Sequence, residues 1–269
     1  MDVQGVALPV LGFGTSGLQG WRCRRMVRIA LALGYRHLDT AQAYGNEDDV
    51  GRAIAAAGVA RSDVFLTTKL EHAHLGRRHV RPALEASLAR LRTDYVDLLM
   101  IHWPSEQVPL QETLAAFAEL RDAGKVRHIG VCNFTLRHLR EAIETCGVTP
   151  LCNQVEYHPF LAQSRLLPYM RGAGIALVAY SPLARGLVPR DPVLRRIGAR
   201  HGKSAAQVAL AWLVSQALVA AIPKASSERN CIANAEIFDI RLGADEVAAI
   251  EALPKDRRII DPSWAPSWD

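Results

Sequence analysis

YRHLD (Tyr35–Asp39), VFLTTK (Val64–Lys69) and VDLLMIH (Val96–His102) are three short apolar runs, and each ends on a side chain capable of ionic or acid–base chemistry. Their length and continuous apolar character suit strands buried on both faces, and the amphipathic segments between them, Glu47–Ala57 and Arg77–Leu91, have the apolar period of helices. The same alternation continues on either side. VLGFG (Val10–Gly14), HIGVC (His128–Cys132), LCNQVE (Leu151–Glu156), IALVAYS (Ile175–Ser181) and LVAAIP (Leu218–Pro223) read as further strands. Helices are expected around Arg24–Leu33, Leu110–Ala123, Leu136–Thr145, Ser164–Arg171, Ala205–Ser215 and Ser227–Ile237. Eight strand–helix units in about 250 residues are what a closed (β/α)8 TIM barrel of the α/β class requires. No Pro/Gly-rich linker divides the chain, so residues 1–269 are expected to form a single domain. Gly5 between Val3 and Val6 predicts an N-terminal hairpin plugging the barrel bottom. The Pro- and Trp-rich tail after Leu253 has no helical period and predicts a C-terminal loop.

Composition narrows the function classes. At 269 residues, 49% hydrophobic and 22% charged, the chain can bury a large core without disulfides or a structural metal. The five cysteines, Cys23, Cys132, Cys146, Cys152 and Cys231, are odd in number and lack CxxC spacing, which suits a reducing cytoplasm. The opening MDVQGVALPV has no basic and long apolar run of a signal peptide, and no segment is apolar enough for a membrane span. A net charge of +5 is scattered apart from RRHVR (Arg77–Arg81), so neither nucleic acid nor membrane is an expected partner. Nothing in the hydrophobicity points to an obligate interface, and a monomer is expected.

Side chains at adjacent strand ends of a parallel barrel converge on one face, which brings Asp39, Tyr44, Lys69 and His102 together. Jointly they could deliver a proton to a carbonyl. Tyr44 is a phenol with an ordinary pKa of about 10 and thus a sluggish acid. A Lys69 ammonium about 4 Å away is worth roughly 4 kcal/mol at an effective dielectric near 20, which would pull that pKa down before burial opposes it. Asp39 would anchor the lysine. Taken singly, each residue has an ordinary structural explanation: an internal ion pair, or a hydrogen-bonded strand-end histidine. All four in this order favour chemistry. A competing reading comes from Gly12, Gly14 and Gly17, which spell GxGxxG after a strand with Asp39 ending the next, as in a Rossmann-type dehydrogenase. There a helix should start inside the motif, whereas Leu18, Gln19 and Gly20 delay it. The glycines then mark a tight turn or a close approach of backbone to ligand.

GYRHLDTAQAYGNEDDVG (Gly34–Gly51), IGVCNF (Ile129–Phe134) and IPK ending at Lys224 resemble the aldo-keto reductase family over the chain from about Leu11 onward. The short loop after Trp103 and the ending APSWD resemble its bacterial 2,5-diketo-D-gluconate reductase B and methylglyoxal reductase group. The resemblance implies an NADPH-dependent oxidoreductase that reduces small aldehydes and ketones, such as methylglyoxal and keto sugars. Tyr44 would be the proton donor, Lys69 and Asp39 its tuning pair, and neutral His102 the group that orients the carbonyl. No metal is implied, and the histidines His72, His74 and His79 lack ligand spacing.

The resemblance also implies the cofactor contacts. Gly14 and Thr15 would lie beside the dinucleotide; Cys132, Asn133 and Gln154 would face the nicotinamide carboxamide, with Tyr180 stacked on the ring. Ser181 and Leu183 would follow the pyrophosphate within AYSPLARG, where Pro182 and Gly186 shape a closing loop. Cys132 stands where the family usually has serine, a stronger hydrogen-bond partner. At the adenosine end Lys224 and Ser227 remain, Ala225 and Asn230 replace a serine and an arginine, Arg229 is one residue out of register, and Asn234 follows on the last helix. Lys224, Arg229 and helix-end amides could still meet an extra ribose phosphate, so NADPH is expected over NADH. Trp103 should wall the substrate pocket, with Trp21, Trp264 and Trp268 as further candidates. Ser16, at a place where many relatives carry tryptophan, predicts an open mouth for compact polar carbonyls. Glu156 and His158 receive no role. An NADPH-binding sensor or channel subunit of the same fold, with little turnover, is the alternative from another class.

Overall fold

The computed structural model describes residues 1–269. A hairpin of β1 (Asp2–Val3) and β2 (Val6–Ala7) precedes β3 (Phe13–Gly14), α1 (Gly20–Ala32), β4 (His37–Asp39), α2 (Glu47–Ala55), β5 (Phe65–Leu70) and α3 (Arg77–Leu91). The alternation continues through β6 (Val96–Ile101), α4 (Leu110–Asp122), β7 (Val126–Cys132), α5 (Leu136–Arg140), β8 (Cys152–Glu156), α6 (Leu166–Gly172) and β9 (Ala176–Tyr180). Two helices, α7 (Pro192–Arg200) and α8 (Ala205–Val214), separate β9 from β10 (Val219–Ala221), after which come α9 (Glu228–Ala235) and α10 (Ala244–Glu251).

Strands β3 to β10 pair in parallel in sequence order. Leu11 pairs with Ala221 across the remaining gap. Gly12 N–H donates to the Ala221 carbonyl at 2.9 Å, Ala221 N–H to that of Val10 at 2.9 Å, and Gly14 N–H to that of Pro223 at 3.2 Å, which joins the first barrel strand to the last. The expected (β/α)8 barrel is therefore the observed one.

The strand sequences show why both faces had to be apolar. In β6, Leu98 and Met100 point into the barrel, while Leu99 and Ile101 face the helices; in β9, Val178 points inward and Leu177 and Ala179 outward. The inner set of 11 buried residues includes Val3 and Leu8, so the hairpin plugs the bottom as expected. Its turn is made by Gln4 and Gly5, both at positive φ (54° and 79°), and Gln4 Nε2 donates to the carbonyls of Pro150 and Gly174. No helix is long and apolar enough to cross a membrane.

Three elements depart from the sequence expectation. Helix α1 begins at Gly20 rather than Arg24, because Asp49 of α2 accepts from Gly20 N–H at 2.7 Å and supplies a start signal from a distant segment. Helices α7 and α10 were not anticipated. The glycines also have a different explanation. A Cβ on Gly12 would meet His37 Nδ1 at 2.7 Å, and one on Gly14 would meet the Ile222 carbonyl at 2.7 Å. Barrel closure requires these two; only Gly17, at φ +76°, marks a turn.

Candidate active site

Lys69, near the carboxyl end of β5, is fully buried, and three bonds fix its ammonium. It donates to Asp39 Oδ1 at 2.5 Å, to the Thr40 carbonyl at 3.0 Å and to Tyr44 Oη at 3.3 Å. Asp39 ends β4, and its second oxygen accepts from Gln154 Nε2 of β8 at 2.7 Å. Tyr44 sits on a single helical turn, Gln42–Tyr44, and its ring lies edge-on to that of His102, just beyond β6, with centroids 5.7 Å apart. Asn133 Nδ2 donates to the His102 carbonyl at 3.0 Å, and Tyr180 Oη donates to Asn133 Oδ1 at 2.8 Å. The structure thus brings the four expected groups to one rim of the barrel.

The electrostatics divide the roles. Burial disfavours the Lys69 charge, but Asp39, through its charge and its hydrogen bond, together with Tyr44 and Cys132 outweighs burial, and the ammonium is held more tightly than usual. Burial, followed by the Lys69 charge, lowers the His102 pKa to about 3, so the ring is neutral. Tyr44 differs from the sequence expectation. Its pKa is raised, because burial penalises the phenolate by more than Lys69 favours it, while Asp39 offsets part of the lysine's field. The phenol is therefore a proton donor held in its protonated form.

Asp39, Tyr44 and His102 line a cavity of about 790 Å³, within the range of small-molecule sites. Gly14, Asp39, Tyr44, His102, Trp103, Cys132, Asn133, Gln154, Tyr180, Ser181, Leu183, Lys224 and Asn230 all face it, as does Ser16. Lys69 lies beneath its floor, reaching it through Asp39 and Tyr44. Thr15 is also behind the wall, where its hydroxyl donates to the Asp39 carbonyl at 2.9 Å. Ser227 caps α9, accepting from Asn230 N–H; Arg229 is exposed and Asn234 is buried, and neither lines the cavity. Trp264 and Trp268 pack against Trp103, with centroids 4.8 Å and 6.0 Å away, whereas Trp21 is 61% exposed and does not line the cavity.

Several lining residues were missed by sequence reasoning. Ser226, which accepts from Lys224 Nζ at 2.9 Å, is one residue from the serine that was singled out. Arg185 belongs to the quoted AYSPLARG stretch and adds a second cation to the wall. Ile260 comes from the tail and has no local signal. Asn133, Ser181 and Arg185 hold positive φ values of 59°, 47° and 47° without being glycine, and such strain gathers where a site needs it.

The residues present suit a nicotinamide dinucleotide. Gln154 Oε1 has no protein partner and Asn133 Oδ1 keeps a second lone pair, which are two acceptors for a carboxamide NH2. Lys224 and Arg185 are cations for phosphate elsewhere on the wall. The Cys132 thiol instead leans on Met100 Sδ at 3.3 Å, and burial keeps it protonated.

Comparison with known proteins agrees. A glyoxal reductase of Bacillus subtilis (strain 168) is 41% identical over 256 residues, covering 95% of this chain and 92% of that protein. The methylglyoxal reductase DkgB of Escherichia coli O157:H7 is 38% identical over 268 residues, covering 98% and 100%. A crystal structure provisionally named 2,5-diketo-D-gluconic acid reductase B superposes with a TM-score of 0.97 at 46% identity, covering 99% of this chain and 96% of that one. The profile of the aldo/keto reductase family matches residues 10–255, and the chain belongs to that family of oxidoreductases acting on carbonyl groups.

Proposed function

We propose that the chain, folded as one domain and working as a cytoplasmic monomer, is an NADPH-dependent reductase of compact polar aldehydes and ketones such as methylglyoxal and small keto sugars. The observation that carries this is the Tyr44 hydroxyl, 3.3 Å from a buried ammonium and edge-on to a neutral imidazole, on the wall of a cavity with carboxamide acceptors. Bound NADPH supplies the hydride. Asn133, Gln154 and Tyr180 would hold its nicotinamide, Ser181 and Leu183 its pyrophosphate, and Lys224, Ser226, Ser227, Arg229, Asn230 and Asn234 its adenosine end. His102 orients the carbonyl oxygen, and Tyr44 gives that oxygen a proton as negative charge develops on it. Lys69, kept charged by Asp39, then stabilises the phenolate. Ser16 leaves the mouth wide, and Trp103, backed by two tryptophans, supplies an apolar wall. The names of the relatives support the substrate class, and five free cysteines support the compartment.

The test is to mix protein, NADPH and methylglyoxal and to follow nicotinamide absorbance. Turnover is expected, with a lower Kd for NADPH than for NADH. Tyr44→Phe should lose at least about a hundredfold in kcat, in line with the usual worth of a general acid, while binding NADPH as before. Tight NADPH binding without oxidation by any carbonyl would support the sensor reading instead, and unchanged turnover in Tyr44→Phe would refute the assigned proton donor.

A further inference from the structure

Glu156, the last residue of β8, is fully buried and takes no part in the chemistry above. A carboxylate so placed must have its oxygens satisfied. Oε1 accepts from Ile259 N–H at 2.8 Å and from His158 Nε2 at 2.9 Å, and Oε2 accepts from Ile260 N–H at 2.8 Å. The equally buried His158 accepts from Phe160 N–H at Nδ1, so its own proton is on Nε2 and points at Glu156. Burial would raise the Glu156 pKa, but the bonds from His158 and the two amides outweigh it, and the group is held ionised.

We propose that Glu156 is a positioning residue whose carboxylate, through the amides of Ile259 and Ile260, fixes the C-terminal tail as a wall of the substrate site. The proposal rests on the reading of the cavity as a carbonyl site. Up to Arg257 the tail is held by backbone pairing: Ala162 N–H donates to Lys255, Leu161 pairs with Asp256, and Arg257 N–H donates to Phe160. That pairing ends where Glu156 takes over. Immediately beyond, Ile260 lines the cavity, and Trp264 and Trp268 pack on Trp103. Tyr44, Lys69 and His102 follow β4, β5 and β6 and are not hydrogen-bonded to the tail. A wall of this kind binds substrate and transition state alike, so its loss should fall on KM rather than kcat.

Residue-resolved amide exchange on the wild-type protein comes first. Ile259 and Ile260 are expected to exchange at least about tenfold more slowly than Ser263 and Ser267. Glu156→Gln, which keeps the shape but sets an NH2 against a donor, should speed both amides and raise KM for methylglyoxal about tenfold, with kcat within about threefold. Wild-type amides exchanging as fast as the rest of the tail would overturn the proposal, and this measurement decides alone if the variant does not fold. A Glu156→Gln loss carried by kcat at constant KM, or no kinetic change, would overturn it too. Slow exchange at both amides in a protein that reduces no carbonyl would uphold the anchor and refute the function.

Discussion

Tyr44 owes its position to two neighbouring amide side chains. Asn46 Nδ2 donates to the Thr15 and Leu18 carbonyls, both at 2.9 Å, while its Oδ1 accepts from Thr40 Oγ1 at 2.7 Å. Gln42 Nε2 donates to the Ala83 carbonyl and Ser87 Oγ of α3, both at 3.1 Å. The turn bearing the phenol is thereby clamped on both sides. Asn46→Ala leaves the buried Leu18 carbonyl and the Thr40 hydroxyl without these bonds, the Thr15 carbonyl still accepting from Leu18 N–H, and should cost about 1–3 kcal/mol of stability. It should also cost on the order of tenfold to a hundredfold in kcat by misplacing Tyr44, with NADPH affinity retained; steady-state kinetics beside a cofactor titration would check this. The tetrad was legible because each member closes or follows a strand-like run. The clamp was not, since Gln42 and Asn46 look like ordinary loop polars until their distant partners are known. The direction of the Tyr44 pKa escaped for a related reason: a sequence shows the neighbouring charge but not the depth of burial that opposes it.

Among the elements, the strands were readable from their two-sided apolar runs, and α3 matches its expected span of Arg77–Leu91. Helix α7 carried a signal that went unused. Asp191 accepts from Leu194 N–H and Pro192 opens the helix, a cap followed by proline. The early start of α1 had no such signal, because its cap is Asp49 of another helix. The steric need for Gly12 and Gly14 was not legible because it lies across the barrel: Gly14 is glycine on account of the Ile222 carbonyl. Gly14→Ala pushes a methyl group into backbone that cannot swing aside, and should cost about 1–3 kcal/mol by overpacking. Thermal or urea unfolding of the variant would measure it, and an unchanged midpoint would show that the strands can part without penalty.

For the whole molecule, acid should be destabilising well before carboxylates titrate. Burial lowers the pKa of His37, whose Nδ1 has no partner, from 6.5 to about 4. The unfolded chain therefore binds a proton that the folded chain refuses, so the stability is present above about pH 6.5 and declines as pH falls toward 4. Between pH 7 and pH 5 His37 alone should cost about 2 kcal/mol. His102, lowered to about 3 and facing the cavity, adds in the same direction. Urea midpoints at the two pH values would reveal the drop, and equal midpoints would mean that both rings titrate freely. The eightfold repeat was legible from end to end, but how the cylinder closes was not, because closure depends on carbonyls and amides that carry no side-chain signature. That closure joins Val10, Gly12 and Gly14 to Ala221 and Pro223, segments from opposite ends of the chain. During synthesis the first strand must therefore wait for almost the entire polypeptide to emerge before it finds its neighbour. Gly14, Ile222 and Lys224, which line one side of the cavity, are assembled at that late moment, so a growing chain cannot form that wall of its site ahead of time.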